Sequence, residues 1–260
     1  MRARLQQKDF APRRWERLRR ILGRDQVVRV EELTEQLGVS AATIRRDLDQ
    51  LEGLGEIRRV HGGAVSTGGR LEEPLFDDKT SVAIKEKRRI AEAALKYIQP
   101  NDTVFLDGGS TVLELARLLK DRSNITVVTN SLRATVELAG PGPRLILVGG
   151  ELRRLAQTVV GPLTRLLIED VHIDKAFMGT MGLSLEGGLT TTDPSEAYTK
   201  ELVMEHAREV ILLADHNKAH KISFTRAGRL ERVRVLITDN LMDRKLTKGL
   251  RKLGIEVVRA

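Results

Sequence analysis

Residues 105–111 read FLDGGST, and this short run could hold an anion. A β-branched and apolar stretch ends at Asp107, Gly108-Gly109 permits a sharp turn, and Ser110-Thr111 opens a helical segment, TVLELARLLK. Backbone N–H groups at a helix start attract negative charge, and glycines let an anion approach them closely. The hydroxyls of Ser110 and Thr111 would add donors. Taken alone, the same residues also suit an ordinary strand–helix turn. The spacing is neither G-x-x-x-x-G-K-[ST] nor G-x-G-x-x-G, which argues against a nucleotide. Two more runs repeat the pattern: TVVTNS brings Thr129, Asn130 and Ser131 into the next helix, and LVGGEL brings Gly149 and Gly150. In open α/β sheets ligands collect at the carboxyl ends of strands, where three such turns would converge. Asp107 could accept from sugar hydroxyls, and Lys175, Lys200 and Lys218 are candidate phosphate partners. Each lysine alone is more often a solvated surface charge. Lys218 has the better case, because LLADHNK sets it just past a strand end.

A second set of residues lies in VSAATIRRDLDQLEGLG, residues 39–55. Ile44, Leu48 and Leu51 fall at i, i+4 and i+7, the buried stripe of a helix that Ser40 can cap. At about 100° per residue Arg46 lies opposite that stripe, Arg45 on its flank, and Ala42 and Thr43 on the outward side of the first turns. Such a helix can enter the major groove of DNA. Ala42 could touch a thymine methyl, Thr43 a base or phosphate, Arg46 a guanine, and Arg45 a phosphate. Asp47 turns inward and suits an ion pair. Any amphipathic helix shows polar residues opposite its stripe, so the neighbours matter. The preceding LGVS is a tight turn after a short helix, EELTEQLG, and the following GEIRRVHGGAV is a strand, a turn and a return strand. That hairpin would carry Arg58, Arg59 and His61 as a basic wing.

Further elements must position both sets. Trp15, Leu18, Ile21 and Leu22 repeat at helical spacing before Gly23, and VVRV at 27–30 can form one strand. Helix, strand, helix, tight turn, helix and hairpin is the order of a winged helix-turn-helix. STGGRLEEP, residues 66–74, is small, Gly-rich and charged, as a linker would be. Beyond it TVFLD, ITVVT, RLILVGG, KAFMG, EVILLAD, RVLITD and IEVVRA alternate with helical segments such as SLRATVELA and SEAYTKELVMEHA. That alternation predicts a mostly parallel sheet covered by helices.

Composition bounds the possibilities. The 260 residues suit one or two domains, and 41% hydrophobic content with only 3% aromatics implies an aliphatic core. Cysteine is absent, which removes disulfides and thiolate chemistry and fits a reducing cytosol. No stretch approaches the roughly 18 apolar residues of a membrane span. Residues 1–24 hold nine Arg/Lys against two acids, so most of the net charge of +8 sits in a basic arm and first helix. Such asymmetry suits a polyanion such as nucleic acid, and on charge alone equally suits a soluble Arg-rich tail. His206, His216 and His220 lack metal-site spacing, and no cofactor or metal is expected.

The unbroken run from Val30 to Ala64, VEELTEQLGVSAATIRRDLDQLEGLGEIRRVHGGA, closely resembles the N-terminal winged helix of DeoR-type bacterial transcriptional regulators. The resemblance continues through EKRRIAEAA, FLDGGST, TVVTNS, LVGGEL, VVGP, DKAFMG and ITD, nearly the whole chain. It implies a Rossmann-like α/β effector domain resembling ribose-phosphate isomerases that senses a phosphorylated sugar or related metabolite, and it matches Lys218 to the family's lysine. The family often carries a serine and an aromatic around that lysine, where this chain has HNKAH, so the ligand's identity is the open point. The expected organisation is a basic extension at 1–11, the winged helix-turn-helix at 12–65, a linker at 66–80, and a sensing and oligomerisation domain at 81–260. The expected function is sequence-specific binding of double-stranded operator DNA by a cytoplasmic homo-oligomer. It would repress a carbohydrate operon and be tuned by the effector. The first alternative is a sugar-phosphate isomerase carrying a DNA-binding domain. Asp107 or Glu151 could be its base, but neither has an evident acid partner. A protein binding DNA by charge alone is the second alternative, and the shaped pocket speaks against it.

Overall fold

The computed structural model describes residues 11–25, 27–53, 57–60, 62–66 and 73–260. The chain forms two compact units, Met1–Glu72 and Glu73–Ala260. The basic extension falls almost wholly outside the described residues, as does His61. Residues 73–80, expected in the linker, belong to the second unit instead. They do so because Phe76 and Glu73 are buried within it.

The first unit runs α1 (Ala11–Asp25), β1 (Val27–Arg29), α2 (Val30–Leu37), α3 (Ala41–Gly53), β2 (Ile57–Val60) and β3 (Gly63–Ser66). Its core joins Leu18 and Leu22 of α1, Leu33 and Leu37 of α2, and Ile44, Leu48 and Leu51 of α3. The strand expected over 27–30 gives up Val30, which starts α2 with its side chain buried. Gly38 stops α2 with φ of 66°, a left-handed conformation that costs glycine little, and its N–H donates to the Thr34 carbonyl at 2.9 Å. Two residues on, the Ser40 hydroxyl accepts the Thr43 N–H at 3.3 Å and starts α3. The strands form one antiparallel sheet in the order β1-β3-β2. At Gly63 a Cβ would lie 2.3 Å from the Val28 carbonyl oxygen, so only glycine lets the hairpin close on β1.

The second unit opens with α4 (Phe76–Ser81), α5 (Ile84–Leu95), β4 (Thr103–Leu106), α6 (Ser110–Leu118), β5 (Thr126–Thr129), α7 (Leu132–Leu138) and β6 (Arg144–Leu147). A hairpin of β7 (Glu151–Arg153) and β8 (Thr158–Val160) leads to α8 (Arg165–Ile168) and β9 (Ile173–Met178). Then come β10 (Gly182–Ser184), β11 (Gly188–Thr191), α9 (Pro194–His206), β12 (Ala207–Leu213), β13 (Thr225–Gly228), β14 (Val235–Thr238), α10 (Arg244–Lys252) and β15 (Glu256–Arg259).

Seven strands make a wholly parallel sheet ordered β15-β14-β12-β9-β4-β5-β6, and β10, β11 and β13 form a small antiparallel sheet. Alternate residues point to opposite faces. Val104, Leu106, Val127, Phe177 and Ile211 pack under α5, α6 and α7, whereas Phe105, Val128, Ala176, Met178 and Leu212 pack with α8, α9 and α10. Both faces are covered, which is why these strands read as apolar runs. From β4 the chain winds outward through β5 to β6, then returns to β4's other side at β9 and winds the opposite way. The reversal opens a crevice at the carboxyl ends of β4 and β9.

Candidate DNA interface and effector pocket

In the first unit α3 carries Ala42, Arg45 and Arg46 exposed and Thr43 half-buried. Thr43 Oγ1 lies 3.0 Å from Ser40 Oγ. Among the described residues neither Arg45 nor Arg46 has a partner for its guanidinium. Asp47 turns inward as its phase on the stripe requires, accepting from Arg14 Nη2 at 3.0 Å and from Trp15 Nε1 at 2.8 Å. This ties α1 to α3 and removes Asp47 from any DNA-facing surface. Arg59 departs from expectation. Its guanidinium donates to the Asp49 carboxylate and to the Arg45 carbonyl at 3.3 Å, and its backbone N–H donates to Glu52 Oε1 at 2.6 Å. It braces the wing against α3 instead of standing free for phosphate, because β2 runs close enough along the helix for both contacts. The backbone of Arg58 lies in β2, but its side chain is outside the described residues, as is His61.

In the second unit a pocket opens at the strand-order reversal. Its floor is the turn after β4 and the first turn of α6, Gly108 to Val112. The loop after β9 adds Gly179, Thr180 and Met181, α9 adds Glu196 and Lys200, and the segment after β12 adds Lys218. Phe76 and Lys79 of α4 and Ala156, at the tip of the β7–β8 hairpin, close it from the sides. The first residues of α6, whose N–H groups have no carbonyl within the helix to accept them, line the pocket. Gly108 is required for packing, since a Cβ there would lie 1.9 Å from Thr158 Cγ2.

Asp107 does not line the pocket. It is buried beneath, where its Oδ2 accepts from the Gly179 N–H at 2.9 Å and from the Lys200 ammonium. Lys200 also reaches Glu196 Oε1 at 3.4 Å. Burial would lower the Lys200 pKa, but the two carboxylates outweigh it and hold the lysine above its ordinary value. Burial raises the Glu196 carboxyl, Lys200 opposes the shift, and the neighbouring Glu73 and Asp107 carboxylates reinforce it. Lys218 is different. Burial, aided by Lys87, Lys221 and Lys79 and opposed by Asp215, pulls its ammonium down to about 8. Among the described residues its Nζ makes no hydrogen bond or ion pair.

Of the predicted effector residues, the pocket gathers Gly108, Gly109, Ser110, Thr111, Lys200 and Lys218. Thr129, Asn130 and Ser131 stand one strand away and hold the turn in place. Thr129 Oγ1 donates to the Leu106 carbonyl at 2.6 Å, Asn130 Oδ1 accepts the Gly108 N–H at 3.1 Å, and Ser131 caps α7. Gly149 and Gly150 lie after β6 outside the pocket, with Gly150 packed on Val159, Val160 and Thr164. Lys175 is on the wrong edge. It sits near the amino end of β9 and pairs with Asp102 Oδ2 at 2.6 Å, just before β4 begins. Sequence reasoning missed Phe76 and Lys79, hidden in the supposed linker, and Glu196, which its i, i+4 spacing to Lys200 on a predicted helix could have signalled.

Comparison with known proteins matches both units. Residues 14–68 fit the DeoR-like helix-turn-helix domain, and residues 82–240 fit the DeoR C terminal sensor domain. The chain belongs to the DeoR family. This DeoR-family protein is 39% identical to the HTH-type transcriptional regulator GlpR of Haloferax volcanii, over 88% of this chain and 90% of that one. It is 36% identical to the lactose phosphotransferase system repressor of Streptococcus mutans, over 90% of this chain and 94% of that one. Among solved structures, ribose 5-phosphate isomerase A of Methanocaldococcus jannaschii is similar over 51% of this chain and 53% of that one, at 18% identity and a TM-score of 0.39. The DeoR-family chain is a DNA-binding transcriptional regulator with a small-molecule sensor domain. Among its described residues no helix is long and apolar enough to cross a membrane.

Proposed function

We propose that this regulator represses a carbohydrate-metabolism operon and is tuned on its operator by a phosphorylated sugar or related phosphate metabolite. One observation carries the reading: an unpaired, part-buried Lys218 faces the same pocket as the first N–H groups of α6. A cation without a counter-ion, beside a helix N-terminus of nine residues, favours an anion over a neutral sugar. The lactose phosphotransferase system repressor among its relatives supports the carbohydrate assignment.

The same site argues for sensing without turnover. An isomerase needs a general base poised beside its substrate's carbonyl. Here Asp107 is held by Lys200 and the Gly179 N–H, and Glu151 is exposed outside the pocket. In the first unit Ala42, Thr43, Arg45 and Arg46 would meet the operator, Ser40 would fix the start of the reading helix, and Arg59 would set the wing. Two copies of α3 in a cytosolic homo-oligomer would read half-sites roughly 34–36 Å apart, or a multiple of that. A coupling of about 1–3 kcal/mol would shift operator affinity roughly 5- to 150-fold.

The test is binding to DNA beside its own gene, titrated with phosphorylated sugars at fixed salt. One compound should move the affinity while its unphosphorylated form does not. Specific binding that no phosphate ester moves removes the pocket assignment, and turnover of a sugar phosphate by the purified protein restores the enzyme reading.

A further inference from the structure

Lys79 serves two neighbours. It lines the pocket with Lys200 and Lys218, and its Nζ donates to Glu73 Oε1 at 2.6 Å. Glu73 is the first residue of the second unit, and its side chain is only 2% exposed. Its other oxygen accepts from Arg153 and, at 2.5 Å, from the Thr192 hydroxyl. Burial would raise this carboxyl, but Arg153 and Lys79 outweigh it and hold it at about 2.

The three pocket lysines therefore differ in how readily each can turn to a ligand. Lys218 is free already. Lys200 cannot leave without stranding Asp107, a buried carboxylate with no other ion-pair partner among the described residues, and a buried charge left unpaired is costly. Lys79 can leave, because Glu73 would keep Arg153 and Thr192. A lysine also has a flexible stem and three donors to redirect.

We propose that an anion in the pocket takes Lys79 from Glu73, so that the ion pair at the entry of the second unit competes directly with the effector. This rests on the pocket being an anion site. Glu73 then sets effector affinity, and ligand binding rearranges the segment through which the chain enters the sensor unit.

The experiment is calorimetric titration of the full chain with inorganic phosphate. Lys79→Met should weaken binding roughly tenfold, the scale of one charge-assisted hydrogen bond. Glu73→Gln keeps acceptors for Arg153 and Thr192 but releases Lys79, and should tighten binding several-fold. The double variant should bind as Lys79→Met does. If Glu73→Gln still tightens binding once Lys79 is gone, the effect is a general field and the exchange is wrong. An unchanged affinity in Lys79→Met overturns it as well, and that variant decides the matter if Glu73→Gln does not fold. Lys218→Gln separates the two levels. If it weakens phosphate binding and Lys79→Met does not, the pocket stands and the exchange falls. No phosphate binding by the unaltered protein overturns both.

Discussion

Effector affinity should fall as pH rises through 8, because Lys218 loses its charge there. The perturbation is pH alone, between 7 and 9. Lys218 sits at about 8, with burial the largest cause, Asp215 opposing, and Lys87, Lys221 and Lys79 adding to the shift. At pH 7 about nine-tenths of the molecules carry the Lys218 proton, and at pH 9 about one-tenth do, by the ordinary titration relation. If the anion binds only the charged form, affinity falls about tenfold over those two units. A phosphate monoester has its own second pKa near 6, so its charge is already complete in this window and does not mask the slope. Binding should also take up protons, close to half of one per site at pH 8, provided the bound phosphate keeps Lys218 charged. Calorimetry in two buffers of different ionisation enthalpy measures that uptake directly. Burial lowers Lys87 too, with Asp215 and Glu114 opposing. Lys218→Gln therefore serves as the control. A flat profile from pH 7 to 9, or a slope that survives in Lys218→Gln, refutes the assignment of Lys218 to the ligand.

Three further outcomes follow from particular contacts. Lys218→Met should stabilise the ligand-free protein at pH 7 by on the order of 1–3 kcal/mol, because a lysine whose folded pKa lies below its unfolded one penalises the folded state wherever both are charged. That gain should shrink as pH rises from about 8 towards the unfolded value, and thermal unfolding at pH 7 and pH 10 checks the sign. Gly108→Ala should abolish the effector response while leaving operator binding, because its Cβ would meet Thr158 Cγ2 at 1.9 Å, and Thr158→Ala should partly rescue it in the same titration. Arg46→Ala should lose about 1–3 kcal/mol on the operator with little change on random DNA if Arg46 reads a base, which a competition assay at fixed salt resolves.

The strands of the parallel sheet were legible because the inner ones are buried on both faces. TVFLD, ITVVT and EVILLAD are β-branched or apolar at their centres, and all seven predicted runs take places in the one sheet. The helix-turn-helix was legible for a different reason. Gly38, Ser40 and the Ile44-Leu48-Leu51 stripe each perform a local task that only a few residue types can perform. What stayed hidden was short or was set by distant partners. Strands β7, β10, β11 and β13 read ELR, GLS, GLTT and TRAG, without the apolar run that marks the equally short strands of the parallel sheet. Nothing near Glu73 in the chain announces Arg153 or Thr192, so the segment read as linker although the side chains of Glu73 and Phe76 are buried. Lys175 failed in the opposite way: a lysine in a strand declares no end of the sheet, and only the pairing of β9 with β4 puts it beside Asp102.

The charges around the pocket divide into acids that are occupied and cations that are held to different degrees. Binding needs cations that the protein leaves available, and chemistry needs a base that it leaves available. Here the buried carboxylates are occupied: Asp107 and Glu196 share Lys200, and Arg153 holds Glu73, Asp193 and Glu196 together. The cations are graded instead, from Lys200, held by two carboxylates, through Lys79, held by one, to Lys218, held by none. An anion entering the pocket thus meets one free charge and one that can be released. The released one is tied to the residue where the sensor unit begins. In the proposed exchange, ligand binding energy spent on Lys79 acts on Glu73 at the start of the second unit, whereas energy spent on Lys218 stays in the pocket.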